Sequence, residues 1–195
     1  LYWSFHYFYS TKIKYLVGTT IVFFLALMSK ENSITFLAIA PLALYFFTKE
    51  TKIAKIGINT LPYVAMAILF LIIRSSVLGA SASIGEEATE LMNNPFLGLN
   101  ANERYGTIFY TLGKYIQLLF VPHPLTHDYY PRQIPTMTFS DWQVILSVLL
   151  YVGMGIYALI KLPKRDPIAF GIIFYLASLS IVSNLLFSVG TNMSE

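Results

Sequence analysis

The sequence predicts an all-α polytopic membrane bundle with about five crossings, one pair of them a short hairpin, plus one amphipathic helix lying in the interface. Three observations predict it. The 195 residues are 56% hydrophobic and only 12% charged, about half the charge of an average soluble domain. Mean hydropathy is +0.62. Long apolar runs are separated by short basic segments, as where helices cross hydrocarbon and lysines stay with the cytoplasmic headgroups. With no Cys, disulfides and thiolate metal sites are excluded. His6, His123 and His127 are too few and scattered for a metal cage.

The elements follow in order. A crossing needs about 20 apolar residues, which 56–78, 142–160 and 168–189 supply. The runs 15–28 and 34–47 each fall short, yet as one helix 15–47 would extend on the order of 50 Å. A hairpin over 15–47 fits better, with Lys30 and Glu31 at its tip. Lys12 and Lys14 precede it; Lys49, Lys52 and Lys55 follow it, so the tip faces away from the cytoplasm. Lys161, Lys164 and Arg165 form the other basic loop. By parity, 79–141 is an outer loop, and the apolar run 108–121 within it is too short for a full crossing. At 100° per residue, Arg104, Thr107, Thr111, Lys114 and Gln117 fall in an arc of roughly 140°, opposite Ile108, Leu112, Ile116, Leu119 and Phe120. This predicts an interfacial helix over 106–121; the alternative is a short spanning helix. The whole reads as one membrane domain and as an internal piece of a longer protein, since it opens without Met or a signal peptide.

Charged residues in such a chain need a reason, because a charge at the bilayer centre costs about 2.5–3.5 kcal/mol on insertion scales. Lys30 and Glu31 are either a snorkelling interfacial pair or a lysine placed for an anionic headgroup. "SKE" also has the form of a helix start, with Ser29 as N-cap and free amides that favour an anion. Arg74 reads as an interfacial anchor, with a phosphate contact as the alternative. Arg104 and Lys114 share a positive stripe suited to lipid phosphates. The segment "PHPLTHDYYPRQIP" gathers His123, His127, Asp128, Tyr129, Tyr130 and Arg132; Asp128 beside His127 is either an acid/base pair or a turn-forming Asp. P-loop, dinucleotide-binding and zincin motifs are absent, and no feature points to nucleic acid.

These residues resemble a known family. "LALMSKENSITFLA" is similar to the lysine-bearing stretch of the transmembrane and tetratricopeptide-repeat O-mannosyltransferases and their bacterial relatives. "NPF" with "ERYGTIFYTLGKYIQLLFVPHPLTHDYYPRQIP" resembles their "NP…R…T…Y…LL…P…L…DYS…IP" segment, and "SNLLFSVGTNMSE" their "SN…GT…ER" stretch. The resemblance implies a GT-C glycosyltransferase. Such an enzyme moves a mannose-like sugar from a polyprenyl-phosphate carrier to a protein hydroxyl or a glycan on the non-cytoplasmic face. It makes Lys30, Arg104 and Lys114 the donor-phosphate contacts, with His127, Tyr129 and Glu195 as acceptor or supporting residues. The family's catalytic base would lie upstream of Leu1, leaving Asp128 and Glu31 as the candidates within the chain. A divalent metal is not obligatory, because phosphate leaves already ionised. Two features depart from the family: Asn32-Ser33 stands where a Gly-containing pair is usual, and the repeats are missing. The alternatives are a polysaccharide polymerase or ligase, and a lipid-linked saccharide flippase or transporter. The expected location is a bacterial inner membrane, with the endoplasmic reticulum membrane as the alternative.

Overall fold

A computed structural model describes residues 1–48, 52–78, 94–123, 129, 133–185 and 189–193. Among these the chain is all-helical. Seven α-helices run α1 Tyr2–Ser10, α2 Ile13–Ser29, α3 Phe36–Phe47, α4 Ile53–Leu78, α5 Ala101–Phe120, α6 Trp142–Lys161 and α7 Pro167–Ser180, with 3-10 turns at Glu31–Thr35 and Leu162–Lys164. Two stretches, Ile53–Val77 and Trp142–Lys164, are long and apolar enough to cross a membrane. The chain divides into two compact units: 1–83 with 158–178, and 84–157 with 179–195.

In the first unit, the expected hairpin is present but is held together differently. α4 packs along both α2 and α3, while no comparable packing joins α2 to α3. Phe23 and Leu27 of α2, Ala40 of α3, and Tyr63, Ala67 and Phe70 of α4 form one buried cluster. The apolar residues of each short leg therefore find their partner on the following long helix. Phe23 meets Tyr63 at a ring separation of 4.9 Å, and Glu31 meets Arg74 further along both segments. α2 and α4 therefore run the same way. α3 runs against them, because Leu44 near its end packs with Ile56 near the start of α4.

The helix α1 was not expected from the sequence. Its aromatic residues brace α2: His6 stacks on Tyr15 at 5.1 Å, and Trp3 lies so close to Gly18 that a Cβ there would sit 2.4 Å from its ring. Ser4 and Tyr63 share a buried hydrogen bond between their hydroxyls. At the other end of α3, the Arg165 guanidinium lies over the Tyr45 ring at 4.6 Å and donates to the Thr48 carbonyl. Phe170 packs on Phe46 and Phe47. These contacts gather the beginning of α2 (Lys12, Lys14), the beginning of α4 (Lys52, Lys55) and the 161–165 segment at one end. Arg165 left a basic loop in the sequence reading; it is also a bolt between that loop and α3.

The second unit is built around α5 and the upper part of α6. α5 begins earlier than expected, at Ala101, because Asn100 and Glu103 close a reciprocal capping box: each side chain accepts from the other's backbone N–H at 3.0 Å. The buried strip of α5 differs from the periodicity reading. Thr107, Thr111, Ile108 and Leu112 are all buried, whereas Leu119 and Phe120 are exposed. The strip cuts across the polar and apolar faces because the buried threonines find backbone partners: Thr107 in loop 133–141, and Thr111 in its own helix, where its hydroxyl donates to the Ile108 carbonyl at 2.7 Å. Thr107 Oγ1 accepts from Met137 N–H at 2.9 Å. Ser147 Oγ donates to the Phe109 carbonyl at 2.6 Å, and Tyr151 donates to the Leu112 carbonyl at 3.0 Å.

α7 also differs in extent. The expected helical run to Val189 stops at Ser180. Asn184 adopts the left-handed conformation at φ 60°, which Asn tolerates better than most residues. Its side chain then ties the chain beyond into a loop: Oδ1 accepts from Val189 N–H at 2.8 Å, and Nδ2 donates to the Thr191 carbonyl at 2.9 Å. A helix cannot continue through a residue whose φ is reversed.

Candidate functional site

In the first unit three charged residues, Lys30, Glu31 and Arg74, collect at the turn. Ser29 does not cap a new helix there, as expected; it is the last residue of α2, since Lys30 N–H still donates to the Ala26 carbonyl at 2.9 Å. Lys30 is extended at φ −150° and separates α2 from the 3-10 turn, where no side chain caps the N-terminus. Ser33 instead donates back to the same Ala26 carbonyl at 3.0 Å, closing the turn. The Ser29 cap inferred from "SKE" is therefore absent.

A different arrangement takes its place. The Glu31 carboxylate accepts from Arg74 Nη1 at 2.9 Å, with the two side chains 55% and 32% exposed. A partly exposed pair of this kind is worth about 0.2–1 kcal/mol; it orients more than it stabilises. The Lys30 side chain is exposed, and no hydrogen bond or ion pair among the described residues engages its ammonium. Lys30, Glu31 and Arg74 thus form one cluster of net charge +1 at the end of the unit opposite Lys12, Lys14, Lys52, Lys55, Lys161, Lys164 and Arg165. The sequence had set Arg74 apart as an anchor. It pairs with Glu31 because α4 runs beside α2 in the same direction.

In the second unit, Lys114 occupies a ridge between two hollows. Tyr110, Lys114 and Gln117 recur at the four- and three-residue spacings that place side chains on one helix face. The Lys114 ammonium donates to Gln117 Oε1 at 2.9 Å and lies 5.7 Å from the centre of the Tyr110 ring. On one side is a groove of about 360 Å³, walled by Trp142, Gln143, Leu146 and Leu150 of α6. On the other is a cup of about 170 Å³, walled by His123, Tyr129, Gln133, Ile134 and Met193. Met193 is buried there because Asn184 folds the tail back. Thus Lys114, His123 and Tyr129, all named from the sequence, line one cavity. Gln133 and Met193 were missed, and Gln117 was read only as part of the polar arc; an amide carries no pattern in a sequence, and the fold of the tail depends on one Asn side chain.

Arg104 does not reach this cup's lining. Its guanidinium lies 5.9 Å from the centre of the Phe96 ring, in a turn that Asn94 holds by accepting from Phe96 N–H at 3.1 Å. The expected sites His127, Asp128 and Glu195, with Tyr130 and Arg132, lie outside the described residues. Among those described, no group of three His, Cys, Asp or Glu could hold a metal ion.

These features define a class: an all-helical chain with two helices able to cross a membrane, a mixed-charge turn, and a polar cup beside a lysine. The chain matches no protein-family model, and no curated protein or solved structure is detectably similar to it.

Proposed function

We propose that the chain is part of a polytopic membrane glycosyltransferase that takes a sugar from a polyprenyl-phosphate carrier on the non-cytoplasmic face. The observation that supports this reading most is the polarity of the first unit. Most of its basic residues lie at one end, as the cytoplasmic end of a membrane bundle requires, and the mixed-charge Lys30–Glu31–Arg74 cluster lies at the other. The opposite face of the bilayer is where a carrier lipid would present its phosphate to such an enzyme. The resemblance of the lysine stretch, the α5 segment and the tail to the O-mannosyltransferases supports the same reading, and a bacterial inner membrane is the expected setting.

In this reading the acceptor hydroxyl loses its proton to a carboxylate and its oxygen bonds to the anomeric carbon. The bond from that carbon to the phosphate oxygen breaks, and the electron pair leaves with the lipid phosphate. Charge grows on the phosphate, so fixed cations beside it lower the barrier. Lys30 supplies a mobile ammonium. Arg74 supplies a guanidinium whose fork matches phosphate oxygens, and Glu31 acts as its positioning residue instead of as the base.

The test is transfer from a radiolabelled polyprenyl-phosphate sugar by the complete protein in membranes. Lys30→Ala and Arg74→Ala each lower kcat/KM by at least tenfold, whereas Lys164→Ala at the other end leaves it unchanged. Equal activity in all three variants overturns the reading.

A further inference from the structure

The basic end of the first unit carries more than the sense of the chain across a membrane. Phe8 of α1, Leu44 of α3 and Ile56 of α4 form a buried cluster there, with Phe5 and Tyr45 packed against it. Two cations lie on rings of this one group: the Lys55 ammonium is 4.4 Å from the centre of the Phe8 ring, and the Arg165 guanidinium lies over Tyr45. The group therefore holds the start of α4 and the 161–165 segment together. Thr11 and Arg165, in the left-handed conformation at φ 53° and 52°, turn the chain sharply beside the lysines.

Charge at this end is lopsided. The segments 11–15, 48–55 and 161–166 contain eight Lys and Arg against Glu50 and Asp166, so they stay strongly positive however these groups pair. Asp166 also caps α7, accepting from the Ile168 and Ala169 N–H groups at 2.9 and 3.1 Å.

What lies between the lysines decides the partner. Lys12, Lys14 and Lys164 are exposed, and so are Ile13 and Ile53, at 68% and 75%, with Tyr9 and Phe47. A surface for nucleic acid or an acidic protein would leave these isoleucines in water. Where headgroup meets acyl chain, both kinds of residue are matched: ammonium groups reach phosphate while isoleucines and rings meet hydrocarbon. Lysine clusters just cytoplasmic of membrane helices attract anionic headgroups in this way.

We infer that the basic end of the first unit is a docking surface for anionic phospholipids, with Lys12, Lys14 and Lys164 on the headgroup phosphates and Ile13 and Ile53 against the acyl chains. This rests on the membrane placement in the proposed function and not on its transfer chemistry.

The test is electron paramagnetic resonance on the complete protein in phosphatidylcholine membranes at low ionic strength, with spin-labelled phosphatidylglycerol and spin-labelled phosphatidylcholine as probes. Each lysine at an anionic surface contributes up to about fivefold, so phosphatidylglycerol is enriched at least about threefold among the lipids the protein immobilises. The enrichment falls by half or more in Lys12→Gln/Lys14→Gln/Lys164→Gln, which unfolds at the wild-type temperature in phosphatidylcholine alone. It falls likewise for the wild type in about 0.5 M salt, which screens exposed charges, and it persists in Lys30→Gln at the opposite end. Equal immobilisation of the two lipids, enrichment that survives both the triple variant and salt, or enrichment lost in Lys30→Gln overturns the inference. The readings fail separately. Sugar transfer without lipid enrichment removes the docking surface and leaves the transferase, enrichment without transfer does the reverse, and release of the protein by alkaline carbonate removes the membrane placement itself.

Discussion

The two units solve the same problem, holding apolar helices together, by different means. In the first unit the joints are side chain against side chain: Phe23, Leu27, Ala40 and Tyr63 interlock, and Trp3 closes over Gly18. In the second, side chains reach across to backbone. Thr107 meets Met137, Ser147 meets Phe109, Tyr151 meets Leu112 and Asn184 meets Thr191. Asn102 likewise accepts from Phe139 N–H at 3.1 Å. Between helices in hydrocarbon, apolar contact brings little transfer energy, and fit and hydrogen bonds decide which surfaces meet. The first unit relies mostly on fit, with the Ser4–Tyr63 and Arg165–Thr48 hydrogen bonds beside it. The second adds hydrogen bonds where irregular segments, 94–100, 133–141 and 181–193, leave carbonyls and amides that must be satisfied.

Substitutions that remove one means and spare the other test this contrast. The largest effect is expected in the first unit: Leu27→Ala, at a side chain only 1% exposed, costs about 2–5 kcal/mol in unfolding free energy through the cavity it leaves. Thermal or denaturant unfolding measures it, and a loss below 1 kcal/mol would show that α2 and α4 are not closely fitted. Next comes the closest approach in the second unit. A Cβ at Gly106 would sit 2.5 Å from the Met137 carbonyl oxygen, so Gly106→Ala forces backbone apart and costs about 1–3 kcal/mol. It should also speed proteolysis within 133–141.

A matched pair is more discriminating. Thr107→Val leaves the half-buried Met137 N–H without its acceptor and costs about 1 kcal/mol. Thr19→Val in the first unit should be neutral or slightly stabilising, since the Thr19 hydroxyl is buried with no hydrogen-bond partner among the described residues. Equal losses at both positions would erase the distinction between the units. The smallest change in stability is Glu31→Gln, about 0–1 kcal/mol, because the pair is partly exposed. Transfer activity should nevertheless fall severalfold as Arg74 loses its orientation, and a parallel loss of both would make the pair structural only.

The sequence was most legible where one physical period dominates. Apolar length placed α4 and α6 nearly to the residue, and the basic clusters marked the ends that α3, α4 and the 161–165 segment share. It was least legible where a single polar side chain overrules a long apolar run. α7 stops at Ser180, although 168–189 reads as one span, and the Asn184 side chain ties the chain beyond it into a loop. α5 shows the same limit from the other direction: the helical wheel separates Thr107 and Thr111 from Ile108 and Leu112, and the structure buries all four. Amphipathic period records which residues are apolar, not which of the polar ones find a partner.

The candidate site divides along the same line. Lys30, Lys114 and Tyr129 could be chosen from residue type and motif, because charge in an apolar chain is conspicuous. Their companions could not be. Arg74 joins Glu31 only because α4 runs beside α2, and Gln117, Gln133 and Met193 form a cup only because three distant segments meet. The sequence by itself determined the helical class, the long apolar helices and the polarity of charge along the chain, all of which follow from local composition and period. Tertiary structure decided which helices share faces, where α7 stops and which side chains line one cavity, because those depend on partners far away in the chain and on where each buried polar group finds its hydrogen bond.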